Sequence, residues 1–260
     1  MYNISTLEDI FLLDSINDYK QKHFTVYKYD GKEVPRVSEI LKECISKEFL
    51  INWAARIGSK QLYLERKKAT EIGSYVHEMI GHYLLNRTDM NISFKVPDYY
   101  VYSIRIAYNN FKDWEKYINS LGYFIEEIIG IEIKISCPLY GGTIDCIMKI
   151  NGKYYIVDFK TSKSISHEYI IQTCSYMWIV NHGYCPKLPH IDGIGIIRVD
   201  KENKKFEDLF LNEHIPSQKE IIDQYYNGFG YLLGSFYHNI NMKLLFSSYR
   251  KEYLIEEALI

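Results

Sequence analysis

The 260-residue sequence predicts an α/β, or α+β, fold with a helical N-terminal region. The first observation is periodicity: apolar residues recur at helical spacing before residue 122 and alternate with period two from Ile125 onward. The second is Asn151-Gly152, the strongest hairpin signal in the chain, which lies between two alternating segments. The third is the order of elements, which reads helices, three strands, a helix, two strands and a helix.

The N-terminal half is predicted to be helical after one hairpin. Residues 24–36 predict a strand pair that turns at Asp30-Gly31. Ser38 is the predicted N-cap of the helix that follows. A long helix is predicted over Lys68–Leu85 and another over about Tyr99–Ser120.

The second half predicts the sheet. β-rich segments cover 125–136, 139–150, 153–161, 191–199 and 205–211. A helix is predicted from about Ser166 to Asn181, with Gly183 as its C-terminal cap, and a last helix over about 217–236. We expect one compact unit made of a mainly helical region (1–121), a sheet core (122–212) and a C-terminal helical segment (213–260).

Composition limits the class of protein. The net charge of −2 excludes nucleic-acid binding through a general basic surface, so such binding would need a local patch or metal ions. Five cysteines with no C-x-x-C pair indicate a reducing compartment. No apolar run reaches the roughly 18 residues of a membrane span, and the start lacks signal-peptide features. We therefore expect a soluble intracellular protein.

The Asn151-Gly152 turn fixes the register of its hairpin. A two-residue loop pairs Ile150 with Lys153, which places Asp145 opposite Asp158 and Thr143 opposite Lys160. Because side chains alternate, one face should be apolar core and carry Ile144, Cys146, Met148, Ile150, Tyr155, Val157 and Phe159. The other face should carry Asp145, Asp158 and Lys160.

Two facing carboxylates need a cation. Their Cβ atoms would be roughly 4.5–5.5 Å apart, at which distance like charges raise one pKa unless positive charge intervenes. The Lys160 ammonium supplies part of that charge, and a hard divalent ion such as Mg²⁺ supplies more. The alternative is an Asp-Asp-Lys network on a solvated sheet face.

Two helices carry further candidates. Gln172 and Tyr176 are four residues apart and share a helix face, which by itself is also typical of a half-buried amphipathic helix. His77 lies in Gly73-Ser74-Tyr75-Val76-His77-Glu78, where a lone histidine is usually structural. His82 is a weaker candidate because it lies well round the helix from His77.

Together these motifs resemble the RecB-like exonuclease branch of the PD-(D/E)xK nuclease superfamily. Gly142-Thr143-Ile144-Asp145 and Asp158-Phe159-Lys160 match its D…(D/E)xK signature. Gln172 with Tyr176 matches Q-x-x-x-Y, and Gly73 with His77 matches G-x-x-x-H. Val34–Leu41 and Trp53 are similar to the N-terminal region of phage-type exonucleases and of the mitochondrial genome maintenance exonuclease. The resemblance implies a restriction-endonuclease-like core, with a central mixed sheet flanked by helices.

The resemblance also implies roles for individual residues. His77, Asp145, Asp158 and the Phe159 carbonyl would hold Mg²⁺ or Mn²⁺, and Lys160 would orient water or contact phosphate. Gln172 and Tyr176 would organise the site and hold substrate. Three weaker groups of candidates follow. They are Glu132 as an outer contact to the metal, Thr161, Ser162 and Lys163 as phosphate contacts, and the basic cluster Arg66, Lys67 and Lys68. For each of them, the alternative is an ordinary solvated surface residue.

The expected activity is hydrolysis of DNA phosphodiester bonds at single strands or DNA ends. The chain has no cysteine after Cys185, so the iron–sulfur cluster of some relatives is not expected, and it has no helicase P-loop. The resemblance implies partner proteins of replication or recombination. It also implies a bacterial, phage-infected or organellar setting. The alternatives are a structure-specific or restriction-like endonuclease and a catalytically retired DNA-binding scaffold.

Overall fold

The computed structural model describes residues 26–45, 48–90 and 96–257. The strands are β1 (Val26–Tyr29), β2 (Lys32–Pro35), β3 (Ile125–Ser136), β4 (Gly141–Ile150), β5 (Lys153–Lys160), β6 (Gly193–Val199) and β7 (Phe206–Asn212). The helices are α1 (Val37–Cys44), α2 (Glu48–Ile57), α3 (Ser59–Asn86), α4 (Asp98–Ser120), α5 (His167–Ile179) and α6 (Pro216–Glu257), with a π turn over Val180–Tyr184.

The central sheet is mixed, and its strands follow the order β3-β4-β5-β6-β7. All neighbours are antiparallel except β5 and β6, which are parallel because the chain crosses over through α5. The short β1–β2 hairpin forms a separate sheet. The α+β class, the mixed sheet flanked by helices and the helical N-terminal region are thus confirmed.

Helices cover both faces of this sheet. One core layer joins α3 and α4 to the sheet and includes Ile72, Phe111 and Trp114. The other joins α1, α5 and α6 to the opposite face and includes Ile40 and Phe229. Burial of these large side chains on two faces stabilises the fold by roughly 1.5–3 kcal/mol for each one fully buried.

The β4–β5 hairpin has the predicted register. Ile150 pairs with Lys153, and the ladder continues to Cys146 and Val157. Asn151 and Gly152 have φ values of 46° and 78°, as a type I′ turn requires. The Asn151 side chain adds hydrogen bonds to the Gly122 carbonyl and the Phe124 amide, which fasten the turn to the end of α4.

Three predicted helix boundaries are wrong. The long helix predicted from Lys68 begins nine residues earlier, at Ser59. Ser38 is not an N-cap: α1 begins at Val37, after Arg36, whose extended backbone forms a bridge with Gly141. The last helix continues beyond residue 236 to Glu257. Its buried face extends to Ile240, and Tyr237 donates a hydrogen bond to the Leu139 carbonyl at 2.6 Å, so tertiary packing prolongs it. The predicted strand pair at 24–36 begins, as described, at Val26, and residues 24 and 25 lie outside the described residues.

Within the described part of the chain, no helix combines the length and apolar character that a membrane crossing would need.

Candidate metal centre

Three side chains from three elements converge at one end of the sheet. His77 comes from α3, Glu132 from β3 and Asp145 from β4, and one ligand atom of each lies within 4.8 Å of the others. The His77 Nδ1 atom is 3.5 Å from Asp145 Oδ2. A nitrogen and two carboxylate oxygens at this spacing form a donor set for a divalent cation.

The backbone is distorted where these acids lie. Glu132 has a φ of 53°, in the left-handed region that non-glycine residues rarely adopt. The β3–β4 pairing passes from Ile131–Cys146 to Ile133–Ile144 without pairing the two acids between them. Backbone strain of this kind costs of order 1–3 kcal/mol and is concentrated at functional sites.

The predicted assignment of β4 side chains to the two faces of the sheet is wrong at Ile144. Ile144 was expected on the same face as Cys146, but it packs in the α1–α5–α6 layer, whereas Cys146 packs in the α3–α4 layer. The regular alternation therefore breaks at Asp145. Period-two reasoning cannot anticipate such a break, because it assumes an undistorted strand.

The predicted face-to-face pairing of Asp145 with Asp158 is replaced by a different contact. The β4–β5 ladder ends one pair earlier, at Cys146–Val157, and the predicted pairing of Thr143 with Lys160 is likewise outside it. Instead, the Phe159 amide donates a hydrogen bond to Asp145 Oδ2 at 2.9 Å. The Asp145 carboxylate thus closes the end of the hairpin and reaches His77 with the same oxygen.

Asp158 and Lys160 form a buried ion pair beside the three-residue cluster. Lys160 Nζ is 2.7 Å from both carboxylate oxygens of Asp158. Only Oδ1 has the geometry of a hydrogen bond, and the buried Oδ2 has no hydrogen-bond partner. The ammonium also lies 4.8 Å from the centre of the Tyr169 ring, a cation–π contact.

The pKa values of all three carboxylates at this centre are raised. Burial raises the pKa of Asp158 to about 6, against the opposing effect of Lys160, and the neighbouring Asp145 adds to the rise. Burial also raises the pKa of Asp145, and burial together with Asp145 raises that of Glu132. Burial, followed by the Lys160 charge, lowers the pKa of His77 to about 4, which leaves a neutral imidazole at pH 7. Neutral imidazole and crowded carboxylates are the states that a bound cation favours.

Gln172 and Tyr176 lie on α5, which packs against the strand that carries Asp145. Gln172 Nε2 donates to Tyr176 Oη at 3.1 Å, as the helical spacing predicts. The Tyr176 ring is buried against β4 at Gly142, where a Cβ atom would be only 2.3 Å from Tyr176 Cε1. On the same strand, Thr143 Oγ1 is hydrogen-bonded to the Tyr27 hydroxyl at 2.6 Å, so β1 also supports this part of β4.

The loop after Lys160 is fixed by a residue that the sequence analysis missed. Arg198 on β6 is fully buried, and its Nη1 donates to the Ser162 carbonyl at 3.0 Å. The Ser162 hydroxyl is used within the loop, donating to the Ser164 carbonyl at 2.9 Å. Thr161 faces Gly73 on α3, and Lys163 is exposed.

The other sequence candidates lie further away. Arg66, Lys67 and Lys68 are exposed on α3, and Lys67 precedes His77 by ten residues, or about 15 Å of helix. Among the described residues, the three-residue ligand group does not include His82. A backbone hydrogen bond between Phe159 and His77 acts to raise the pKa of the imidazole, against the larger lowering effect of burial. The role of the Phe159 carbonyl as a metal ligand stays a prediction.

Two of these supporting residues had a signal in the sequence, although only the motif match of Gly142 was noted. Gly142 lies inside a strand, where glycine often marks a close approach of another group. Arg198 stands in an otherwise apolar strand segment, and a buried arginine must have partners. Tyr27 had no comparable signal, because the hairpin that carries it meets β4 only through tertiary packing.

Comparisons with known proteins add little. No protein-family model matches the chain, and no curated protein matches it. Among solved structures, one titled "Crystal structure of SSO0001" is 12% identical, with 88% of each chain covered and a TM-score of 0.29. A similarity at that level supports no inference about fold or function.

Proposed function

We propose that this protein is a metal-dependent deoxyribonuclease, a RecB-like exonuclease that hydrolyses phosphodiester bonds in single-stranded DNA or at DNA ends. The observation that carries the proposal is the convergence of His77, Glu132 and Asp145 within 4.8 Å beside a buried Asp158–Lys160 pair. A cation-binding donor set next to a fixed ammonium is the arrangement that phosphate hydrolysis requires.

His77, Glu132 and Asp145 are the residues that would hold Mg²⁺ or Mn²⁺, and Asp158 offers a further buried oxygen without a hydrogen-bond partner. The imidazole favours Mn²⁺, and the carboxylates suit either ion. When bound, the cation supplies charge neutralisation at the phosphate and lowers the pKa of water. Glu132 is exposed, so the donor set is open on that side to solvent and substrate.

Lys160 has the central role among the protein's own groups. Its ammonium is held by Asp158 and by the Tyr169 ring, which leaves a compact positive charge fixed at the site. From there it donates to a phosphate oxygen or orients the attacking water. Gln172 and Tyr176 hold α5 against β4 and so keep Asp145 and Lys160 in register.

DNA as the substrate is supported by the ordered set of motifs rather than by surface charge. G-x-x-x-H, D…(D/E)xK and Q-x-x-x-Y occur in the order found in RecB-like nucleases, and their residues come together around one centre. The net charge of −2 means that metal ions and local groups, not a general basic surface, would offset the phosphates.

The test is digestion of end-labelled DNA, single- and double-stranded, with Mg²⁺ or Mn²⁺ and with EDTA. We expect metal-dependent release of short products, and no cleavage by Asp158→Ala or Lys160→Ala protein that remains folded. Undiminished cleavage in EDTA, or wild-type rates in both variants, would refute the proposal. A covalently closed single-stranded circle then separates the two nuclease classes, because an exonuclease leaves it intact and an endonuclease opens it.

A further inference from the structure

A groove of about 800 Å³ extends from the metal centre between α3 and β3. It begins at His77 and Glu132, two of the three candidate ligands. The rest of its lining consists of Ser74, Glu78, Gly81, His82, Leu85, Asn86, Met90 and Ile131. Whatever occupies this groove therefore lies directly beside the candidate metal centre.

The chemistry of the lining differs from that of a phosphate-binding channel. Among the described residues, which leave out 91–95, no lysine or arginine lines the groove, and Glu78 and Glu132 are acidic. Phosphates are bound mainly by arginine, lysine and backbone amides, so this surface disfavours the sugar-phosphate backbone. The lining instead combines apolar Leu85, Met90 and Ile131 with the neutral hydrogen-bonding groups of Ser74, His82 and Asn86. Flat groups with hydrogen-bonding edges, such as unstacked bases, suit this combination.

The size of the groove selects a single strand. Sites for small organic ligands have volumes of roughly 300–1,000 Å³, a range that includes this groove and a short run of nucleotides but not a duplex. At its floor α3 and β3 are in close contact, since a Cβ on Gly81 would be 3.0 Å from Ile131 Cγ2. A strand therefore lies along the groove and does not pass between the two elements.

The far wall of the groove is rigidly attached to α4. Helix α3 ends at Asn86, and the φ of 56° at the following Arg87 turns the chain. Arg87 Nη1 is 2.6 Å from Glu115 Oε1 on α4. The following turn is held by Asp89, which accepts a hydrogen bond from the Tyr108 hydroxyl at 2.6 Å. The groove is thus a preformed surface, and binding there requires little ordering of the protein.

We propose that this groove is a nucleobase subsite, which holds the unpaired bases of a DNA strand adjacent to the phosphate at the metal centre. The inference rests on the proposed function and makes it more specific: the substrate is an unpaired strand, whose bases contact the protein in this groove. Duplex DNA would be used only where its end frays. Leu85, whose side chain is 59% exposed at the groove, provides the apolar shelf on which a base lies.

The test is binding of short fluorescent oligonucleotides in Ca²⁺, to hold the complex without turnover. A normal single strand is compared with an abasic strand that keeps every phosphate, and with a blunt duplex of the same length. We expect the normal strand to bind about tenfold more tightly than the abasic one, the difference that burial of roughly 60 Å² of apolar base and groove surface would give. Leu85→Asp should remove most of that difference, while Leu245→Asp, on the equally exposed surface of α6, should not.

Manganese affinity, measured separately, should be the same in Leu85→Asp and wild-type protein, which shows that the variant is folded at the metal centre. Equal binding of normal and abasic strands by a wild-type protein that cleaves DNA would overturn the groove proposal alone. Wild-type behaviour of Leu85→Asp with every strand would do the same. A wild-type protein that cleaves no DNA with any metal would overturn the proposed function, and this inference with it.

Discussion

The ring of Tyr176 lies against the backbone of Gly142, so closely that a Cβ atom at position 142 would be 2.3 Å from Tyr176 Cε1 and 2.4 Å from its hydroxyl oxygen. This contact joins α5 to β4 three residues before Asp145. It explains why a glycine stands inside a buried strand at this point. The position of α5 therefore depends on the absence of a side chain at residue 142 of β4.

Gly142→Ala should therefore destabilise the fold and lower cleavage. The added methyl group displaces the Tyr176 ring and moves α5 away from β4. Overpacking of this kind typically costs about 1–3 kcal/mol. Urea unfolding of the wild-type and variant proteins measures the loss of stability, and cleavage of labelled DNA measures the loss of activity.

The matched control is the same substitution in a Tyr176→Ala background, where the space is vacant. There, Gly142→Ala should cost much less, and the double-mutant cycle should give a coupling energy of about 0.5–3 kcal/mol. Equal costs in both backgrounds would show that the Tyr176 contact is not the reason for the glycine.

Lys160→Gln should separate metal binding from catalysis. The ammonium holds Asp158 but belongs to no ligand set, and its charge repels a cation at the neighbouring centre. Cleavage should fall by about 10²–10³-fold, the usual effect of removing one fixed transition-state donor. Manganese affinity, measured by titration calorimetry, should be unchanged or higher.

Lys116→Gln, on the exposed face of α4, is the control for loss of one positive charge and should cleave at the wild-type rate. If Lys160→Gln lost manganese binding in parallel with cleavage, the lysine would be a structural support of the centre rather than a catalytic group.

Asp192 should make stability depend on pH in the acid range. Burial acts to raise the pKa of Asp192, but the Tyr154 amide, His214 and Lys153 together outweigh it, and the net pKa is lower than usual. Because the folded pKa lies below the unfolded value of about 3.9, this stabilisation is present above that pH. It is lost as the pH falls through the folded value.

Asp192→Asn should accordingly lower the free energy of unfolding by about 1–3 kcal/mol at pH 7, and by much less near pH 3. Urea unfolding at the two pH values measures the difference. Asp223→Asn, which removes an exposed carboxylate paired with Lys219, should show little effect at either pH. A cost of Asp192→Asn that is the same at pH 7 and pH 3 would contradict the assignment.

Local signals were sufficient to predict the hairpin and the helices around it. The Asn151-Gly152 turn fixed the register from Ile150–Lys153 to Cys146–Val157, because a type I′ turn allows one alignment of its strands. The spacing of Gln172 and Tyr176 predicted for a similar reason that they share a helix face, where the structure has them hydrogen-bonded.

The arrangement of the acids could not be predicted in the same way. Asp145 does not face Asp158 in a regular ladder, because its carboxylate accepts the Phe159 amide and the strand alternation breaks there. Glu132, predicted only as an outer contact, joins the ligand group through a left-handed backbone conformation. Both features depend on contacts among β3, β4, β5 and α3, which no local pattern in the sequence encodes.

We infer that His77, Glu132 and Asp145 form one divalent-metal centre, and calorimetric titration of Mn²⁺ into wild-type and Asp145→Asn protein tests this directly. Asparagine can still accept the Phe159 amide and removes a buried charge, so the variant without metal should unfold at the wild-type temperature or higher. We predict a saturable site in the wild-type protein, with affinity at least about tenfold lower in Asp145→Asn. The same affinity and stoichiometry in both proteins would contradict the claim.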